Sequence, residues 1–471
     1  MINLVVFHVT IAPAGQGSGA SAAQLEEKEG DSLITEILAI APAESDDSTY
    51  VECLISWVGD DIDRGDYYGP GKVRIGPFHR LQDPSEQSAD MMEKEKKRVL
   101  HGLLTRNEKA RGQELRSHLE AMERLVPYAR QRYSSSFSWM TSKEFAGMLL
   151  VDGFFLYSRF ISRGDDDDIT VDRDIMFLLE NQIPFFVLDK IHQLLTGPGQ
   201  VHEYYSSHFV LEKVAKRVQR VLQRNAYIAT TNVTSPAAPP YHLLHVLYMY
   251  LAPAAILGSD SIGIKVNSAP VPENRRWRRA TEYYAAGVGF VNRELDGGNN
   301  GARSILDVDL IKDQLHIPRL IIDGNTFRML RNMVALEQKG MQYSTRNSHV
   351  TAYCFFLSQV AGTEEDVELL FSKGIIVHML RSNSDVTKGL AGLCDGVTIE
   401  DAFGRDANNY LRSKKDALEK LCDTTWRRYM AWLRMRNVKC WKALAVVAAA
   451  VVSIAIVLRL VFAGISYGRG K

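Results

Sequence analysis

The residues best suited to chemistry form a polar triplet, Glu180, Asn181 and Gln182, inside an otherwise apolar stretch. If the triplet is buried, each unpaired polar group would cost about 1–3 kcal/mol, so all three side chains need hydrogen-bond partners. We interpret the triplet as a polar network that fixes the registers of packed helices. A catalytic role for Glu180 is the alternative.

A second polar set lies later in the chain, where Arg331-Asn332 is followed by Glu337-Gln338. These side chains offer the charges and amides that the triplet would need as partners. A pairing of Arg331 with Glu180 or with Glu337 is therefore our hypothesis for how the two sets meet.

Histidines recur in one region, with His242 and His245 three residues apart and His202 and His208 upstream. Residues at this spacing share a helix face, but a metal site would need a third ligand and partners that orient the rings. No HExxH motif accompanies them. We therefore expect packing or surface histidines and no metal.

Other catalytic and binding signatures fail on inspection. Gly71-Lys72 is followed by Val73, which is not a P-loop, and there is no GxSxG elbow. The basic-aromatic run at 275–279 could bind phosphoinositide headgroups or RNA, but we interpret it as a solvated loop ahead of a helix at 280–290. From the sequence we expect no catalytic residue and no cofactor, and we expect that the protein is not an enzyme.

Apolar periodicity near 3.6 residues indicates the elements that must position these groups. Helices are predicted at 91–107, 114–133, 145–160, 202–227 and 241–251, and again from Thr326 onward. Pro184 should end or kink a helix. Short strands are predicted at 305–311 and 320–322. The expected fold is mainly α-helical with a small β-sheet.

One apolar run, 443–463, reads ALAVVAAAVVSIAIVLRLVFA. Twenty-one helical residues at about 1.5 Å each span roughly 30 Å, the thickness of a bilayer's hydrocarbon core. Arg459 near its end can snorkel to the interface. We expect a single C-terminal transmembrane helix. A buried helix of a soluble core is the alternative.

Charge is distributed unevenly along the 471 residues. The net charge is zero, but nine basic and no acidic residues follow Asp423, so the preceding part carries −9. This bias predicts that the body lies in the cytosol. We expect a single-pass membrane protein, at the plasma membrane. Residues predicted at the membrane interface are Arg434, Arg436, Lys439, Trp441 and Lys442.

The same features divide the chain into five parts: a flexible leader at 1–48, a helical body at 49–425, a basic amphipathic segment at 426–442, the transmembrane helix at 443–463 and a tail at 464–471. An acidic body is a poor ligand for nucleic acid. We expect the bilayer and an unidentified protein as partners, and no small-molecule substrate.

Several ordered motifs resemble a large plant family, the proteins with domain of unknown function 247, or UPF0481 proteins. RIGPFHR at 74–80, MLLVDGFFL at 148–156 and LLENQIPFFVL at 178–188 match family segments in family order, and so do later blocks that include RNMVALEQ at 331–338. The motif residues carried over are Gly76, Pro77, His79, Asp152, Gly153, Glu180, Asn181, Gln182, Pro184, Arg331, Asn332, Glu337 and Gln338.

The resemblance covers about residues 50–465 and implies a membrane protein of unestablished biochemistry. Some grass members are linked to self-incompatibility as candidate pollen-side specificity determinants, a role that implies recognition of another protein. Arg80 stands where the family has a second histidine, so no catalytic histidine pair is carried over. We expect membrane-anchored recognition or signalling. A membrane-bound enzyme of unknown chemistry is the alternative.

Overall fold

The structure is a computed structural model that describes part of the chain. The described residues are 55–59, 67–81, 90–104, 108–162, 168–196, 203–231, 239–253, 276–297, 301–340, 348–397, 409–423 and 447–460. The chain divides into two units after Tyr50. The predicted leader at 1–48 lies outside the described residues.

Helices make up most of the described chain, which confirms the predicted mainly α-helical fold. The α-helices are α1 (Met91–Leu103), α2 (Glu108–Arg130), α3 (Ser142–Tyr157), α4 (Ile169–Phe177), α5 (Phe186–Thr196), α6 (Glu203–Arg224), α7 (Leu243–Leu251), α8 (Ala280–Ala285), α9 (Gly324–Ala335), α10 (His349–Val360), α11 (Glu364–Ser372), α12 (Asn383–Ala391), α13 (Arg412–Cys422) and α14 (Val447–Leu460). Short π-helical turns, Ser158–Ser162 and Leu336–Gly340, follow α3 and α9.

Two small sheets accompany the helices, where the sequence predicts one, and only Asp309–Ile311 of the strand predicted at 305–311 forms. The strands are β1 (Gly289–Arg293), β2 (Asp309–Ile311), β3 (Gln314–Pro318), β4 (Leu320–Ile322) and β5 (Ile376–His378). In the first sheet, β3 pairs parallel with β1 and antiparallel with β2. In the second sheet, β4 pairs parallel with β5.

The prediction of a helix at 280–290 is correct for its first half and wrong for the rest. Helix α8 ends at Ala285, and Gly287 adopts a positive φ of 86°, a conformation that glycine reaches without steric cost. The chain then turns into strand β1. Pro184 also acts differently from the prediction, because α4 already ends at Phe177 and Pro184 precedes α5.

Helix α3 lies at the centre of the core and packs against α1, α2 and α5. A capping box starts it: the Thr141 hydroxyl accepts from the Glu144 backbone N–H, and the Glu144 carboxylate accepts from the Thr141 N–H. Gly153 faces α5 so closely that a Cβ there would lie 2.3 Å from Cδ1 of Ile191. A glycine at this point therefore sets the distance between α3 and α5.

The predicted transmembrane helix at 443–463 has only its middle within the described residues. Among those residues, the one helix long and apolar enough to cross a membrane runs from Ser142 to Ser162, and 78% of its most apolar window is buried, as in a core helix. Helix α14 is apolar but shorter, and its side chains are exposed. The described part of α14 is therefore helical, but it is too short to span a bilayer by itself.

The close contact at Gly153 yields a stability prediction. We expect Gly153→Ala to destabilise the protein by about 1–3 kcal/mol, because the new methyl group overpacks the contact with Ile191 and Val187. Combining it with Ile191→Val removes the clashing Cδ1, so the double variant should lose less than the sum of the single variants. Chemical denaturation of the detergent-solubilised chain measures both effects.

Gly147→Ala is the matched control, because Gly147 lies on the same helix and a Cβ there would meet nothing within 4 Å. This variant should gain up to about 1 kcal/mol from helix propensity. Equal effects of the two alanines would contradict the close contact between α3 and α5.

Candidate functional site

A segment of turns and bends, residues 67–81, lies against the helical body with much of its backbone bound by side chains; we call it the N-terminal strip. The carboxylate of Asp174 accepts from the backbone N–H groups of Lys72, at 2.5 Å, and Val73, at 3.2 Å. Nη1 of Arg328 donates to the other oxygen of that carboxylate, Oδ1, at 2.9 Å. Asp174 thus serves as an anchor for two consecutive peptide groups.

Asn181, the middle residue of the triplet, binds the next part of the strip. Its Oδ1 accepts from the backbone N–H of Ile75 at 2.6 Å. Its Nδ2 donates to the carbonyl oxygens of Val73, at 3.0 Å, and Asp174, at 2.9 Å. One fully buried amide therefore pairs with the strip as a neighbouring strand would.

A buried ion cluster holds the end of the strip. Oδ2 of Asp152 accepts from the backbone N–H of Gly76 at 2.9 Å, while Oδ1 lies 2.6 Å from Nζ of Lys96. The same ammonium lies 3.1 Å from Glu93 and donates to the carbonyl of Arg74 at 2.5 Å. Burial raises the pKa of Asp152, and the nearby Lys96 opposes that shift.

Gln182 connects the turn after α4 with the start of α7. Its Nε2 donates to the carbonyls of Ile175, at 2.5 Å, and Leu178, at 2.7 Å. Its Oε1 accepts from the backbone N–H groups of Leu243 and Leu244, at 3.1 and 3.3 Å. The triplet is thus a hydrogen-bonded network, as predicted, but it joins turns and the strip rather than fixing helix registers.

The glycine and proline of the strip have a steric role. Gly76 has a positive φ of 74°, and a Cβ there would lie 2.3 Å from the carbonyl oxygen of Gln182. Pro77 follows, and its carbonyl accepts from the backbone N–H of Arg80 at 3.3 Å. The strip can pass the triplet only because position 76 has no side chain.

His79, near the end of the strip, lies beside the buried Glu180. Nε2 of His79 is 3.1 Å from Oε2 of Glu180, and the side chains are 15% and 0% exposed. The other oxygen of Glu180 accepts from the backbone N–H of Val58 at 2.9 Å. The rings of Trp57 and His79 are 6.2 Å apart. The contact is close but lacks hydrogen-bond geometry, because the buried Nε2 of His79 has no hydrogen-bond partner among the described residues. A carboxylate beside an imidazole is nevertheless an arrangement used for general bases.

Arg331 pairs with neither Glu180 nor Glu337, so that hypothesis is wrong. Its guanidinium lies 4.2 Å from the centroid of the Tyr67 ring and 3.7 Å from the carboxylate of Asp395. A cation over an aromatic face is attracted by the negative face of the ring. Arg331 therefore does not connect the two polar sets and instead packs on Tyr67, the first residue of the strip.

Asn332, the neighbour of Arg331, does reach the triplet's turn. Its Oδ1 accepts from the backbone N–H of Leu179 at 2.9 Å, and its Nδ2 donates to the carbonyl of Tyr67 at 2.9 Å. It therefore ties helix α9, the turn before the triplet and the strip together.

Glu337 belongs to a second, separate buried cluster. It lies on the π-helical turn after α9 and accepts from the hydroxyl of Tyr248 at 2.8 Å. It also accepts from the backbone N–H groups of Val350, at 3.0 Å, and Thr351, at 2.7 Å, and from the Thr351 hydroxyl at 2.6 Å. Burial raises the pKa of Glu337 to about 7, although these hydrogen bonds favour its charged form.

The remaining members of this cluster complete its polar contacts. Nδ1 of His349 lies 3.3 Å from the Tyr248 hydroxyl, and burial lowers the pKa of His349 to about 3. Nε2 of Gln338 donates to the Thr351 hydroxyl at 3.3 Å. Glu337 thus caps the start of α10, Gln338 binds the Thr351 side chain, and neither meets the triplet.

His242 and His245 do not face each other as metal ligands. His242 precedes α7, and its Nδ1 accepts from the backbone N–H of His245 at 3.3 Å. Nδ1 of His245 accepts from the Tyr241 N–H at 3.1 Å, and burial lowers the pKa of His245 to about 4. Within the described part of the chain, no group of three or more histidine, cysteine or acidic side chains could hold a metal ion.

The described part of the basic-aromatic run, 276–279, is a loop ahead of α8, as predicted, but only Arg276, with a side chain 61% exposed, is well solvated. Trp277 is 2% exposed and packs on Phe356 with ring centroids 4.9 Å apart. Arg278 lies 2.9 Å from Glu419, and Arg279 lies 3.2 Å from Glu282. These arginines are therefore engaged within the protein rather than free for a polyanion.

Sequence reasoning missed several side chains of the site, namely Lys96, Asp174, Arg328 and Tyr248. A signal existed for Lys96, which lies three and four residues before the apolar Val99 and Leu100 and so shares their buried face. The predicted motif residues Gly153 and Pro184 lie in the core near the site. The predicted membrane-interface residues at 434–442 lie outside the described residues.

The Glu337 cluster yields a pH-dependence prediction. Its folded pKa of about 7 exceeds the ordinary value of 4.5, so its contribution to stability is complete below pH 4.5 and is lost as pH rises through 7. We expect the stability of the wild type relative to Glu337→Gln to fall by about 2 kcal/mol between pH 5 and pH 7. Urea unfolding at both pH values measures this difference.

Glu337→Gln retains His245 and His349, so their titration cancels in the comparison. A difference that stays constant from pH 5 to pH 7 would show that Glu337 is already ionised in the folded protein at pH 5. Glu95→Gln, which removes a carboxyl group at a position on α1 whose side chain is 44% exposed, is the control for a general effect of charge.

Comparison with known proteins identifies the family. The sequence model of the DUF247 family, described as plant protein of unknown function, matches residues 57–455 of this chain. A UPF0481 protein of Arabidopsis thaliana is 25% identical over 360 residues, which cover 71% of this chain and 70% of that protein. A second UPF0481 protein from the same plant is 27% identical over 158 residues, 32% of this chain and 28% of that protein. No solved structure matches. The chain therefore belongs to the DUF247 family of plant proteins of unknown function, the UPF0481 proteins.

Proposed function

We propose that the protein is anchored in a membrane by helix α14 and acts there by recognising another protein. The observation that supports the anchor is the exposure of α14. Its described side chains are exposed throughout, and the large apolar ones among them, such as Val451, Ile454 and Leu460, are 60%, 60% and 67% exposed.

Such a helix is unfavourable in water. Burying one valine, leucine or isoleucine side chain is worth about 1.5–3 kcal/mol, and a helix that is apolar on every side is buried in a core or in a bilayer. The described body does not cover α14. A hydrocarbon environment would remove the apolar surface of α14 from water without any protein partner.

The flanking sequence supports both the length and the orientation of the anchor. The apolar run extends beyond α14 to residues 443–463, which is long enough to span a bilayer when helical. Six basic residues precede this run between 427 and 442, and two follow it. The excess on the N-terminal side favours a cytosolic body, at the plasma membrane of the plant cell.

Recognition is favoured over catalysis by how the buried polar groups are used. Asp152, Asp174, Asn181 and Gln182 bind backbone groups of the chain itself, and Glu337 caps a helix. Hydrogen-bonded in this way, they stabilise a rigid body that can present a surface. A specificity determinant of the self-incompatibility type is one such role, and the partner protein is unidentified.

Substitutions in α14 test the anchor. We expect the wild type to stay in the membrane pellet after alkaline carbonate extraction, and Val451→Asp/Ile456→Asp to be released, because each buried carboxylate costs several kcal/mol. Val451→Leu/Ile456→Leu is the matched control and should stay in the pellet. Release of the wild type by carbonate would contradict the proposal.

A membrane-bound enzyme is the second candidate, and the His79–Glu180 pair supports it. The imidazole is partly exposed and a buried carboxylate lies 3.1 Å away, as in general-base pairs. Among the described residues, however, no hydroxyl or thiol forms a hydrogen bond with His79, so a nucleophile would have to come from the substrate or from water.

His79→Gln separates the two candidates. For recognition, we expect this variant to retain its membrane insertion and the proteins that copurify with it from native membranes, and the small-molecule profile to match the wild type. Tyr128→Gln, at an exposed position on α2, is the control. A substrate that accumulates only with His79→Gln, and not with the control, would favour the enzyme.

A further inference from the structure

Exposed apolar side chains form a patch where α8, α11 and strand β5 come together. Met379 is 78% exposed, Phe371 is 48% exposed and Tyr284 is 46% exposed. Large apolar side chains exposed side by side, rather than singly, mark surfaces that contact something else. Together with three neighbouring cations they make up the apolar–basic patch: Tyr284, Arg319, Phe371, Lys373, Met379 and Arg381.

Short distances relate several members of the patch to their neighbours: ring, cation and backbone groups lie close together at the end of α11. Nζ of Lys373 lies 5.3 Å from the centroid of the Tyr284 ring. The rings of Phe371 and His378 are 6.4 Å apart, and Met379 follows His378 in the chain. On the other side, Nε of Arg319 donates to the carbonyl of Gly374, the residue after Lys373, at 3.2 Å. These contacts join Tyr284, Lys373 and Arg319 around the end of α11, and Met379 and Arg381 follow strand β5, which pairs with β4 and contacts α11.

The cations of the patch carry charge that the protein does not neutralise. Arg319, Lys373 and Arg381 are exposed, and within the described ranges none of them forms an ion pair with a carboxylate. Glu368 is the acidic residue of α11 that is nearest to Lys373 in the sequence. Its carboxylate accepts instead from Nδ2 of Asn383 at 3.0 Å. A body with a net negative charge thus has a local positive face beside its exposed aromatic rings.

We propose that the apolar–basic patch binds the surface of an anionic bilayer. The three apolar side chains can enter the headgroup layer while the cations meet lipid phosphates and carboxylates, a combination typical of interfacial membrane binding. Arginine and lysine suit this position because their stems are apolar and only their ends are charged.

A bilayer fits the patch better than a protein does. A stable protein interface needs about 800 Å², or about 20–30 residues, from each partner, which the six residues of the patch do not supply. A membrane contact needs less, because the proposed anchor already keeps the body close. Residues 424–446 separate the body from α14, and even fully extended they reach no farther than about 80 Å. The inference therefore rests on the proposed function, and tethering raises the effective concentration of the lipid surface.

Hydrogen exchange of the full chain in lipid nanodiscs tests the inference. One disc contains only phosphatidylcholine and the other contains 30% phosphatidylserine. We expect the amides of residues 371–381 to exchange at least fivefold more slowly in the anionic disc, while the buried helix α3 exchanges equally in both. Equal exchange of 371–381 in the two discs would overturn the inference.

Charge reversal supplies the matched variants. Arg319→Glu/Lys373→Glu/Arg381→Glu should abolish the protection, whereas Lys94→Glu/Lys97→Glu/Arg116→Glu changes the net charge equally at exposed positions on α1 and α2 and should retain it. Protection that survives reversal of the patch, or that the control also removes, would contradict a specific contact.

A failure of the anchor gives a different result from a failure of the patch. If α14 does not insert, the chain is absent from the disc fraction, which contradicts the proposed function. The patch is then measured by cosedimentation with phosphatidylserine vesicles, where we expect binding at least tenfold weaker for the reversed patch than for the control triple. Equal sedimentation of the two variants would overturn the inference in that setting too.

Discussion

The fold depends on how a segment without regular secondary structure satisfies the hydrogen bonds of its backbone. In the N-terminal strip the partners are side chains: Asp174, Asn181, Asp152 and Asn332 take over hydrogen bonds that a sheet would provide. Each buried peptide group left unpaired would cost about as much as a lost hydrogen bond. This requirement explains why so many polar side chains lie inside an apolar core.

The ion cluster at the end of the strip follows the same rule. Lys96 is buried, and such an ammonium is tolerated only when carboxylates and a carbonyl surround it, as Asp152, Glu93 and Arg74 do here. Its net contribution to stability is small, because desolvation offsets attraction. Its effect is to permit only one position of the strip, since any shift would leave charges unpaired.

Sequence reasoning predicted the parts of the fold that depend on local pattern. The long helices, the strand at Leu320–Ile322 and the burial of the triplet follow from periodicity and from the cost of unpaired polar groups. The partner of Arg331 could not be predicted in this way, because a pairing between segments far apart in the sequence depends on three-dimensional packing. Strand β1 was missed for a related reason: its partner, β3, lies more than twenty residues later.

The strip has a consequence for the time course of folding during synthesis. Tyr67 is held by Asn332, which lies 265 residues later in the chain. At roughly 5–20 residues per second, the ribosome needs roughly 13–53 s to add that many residues. Throughout this interval the strip has left the ribosome without one of its binding partners, so its docking is a late event that only the second half of the chain makes possible.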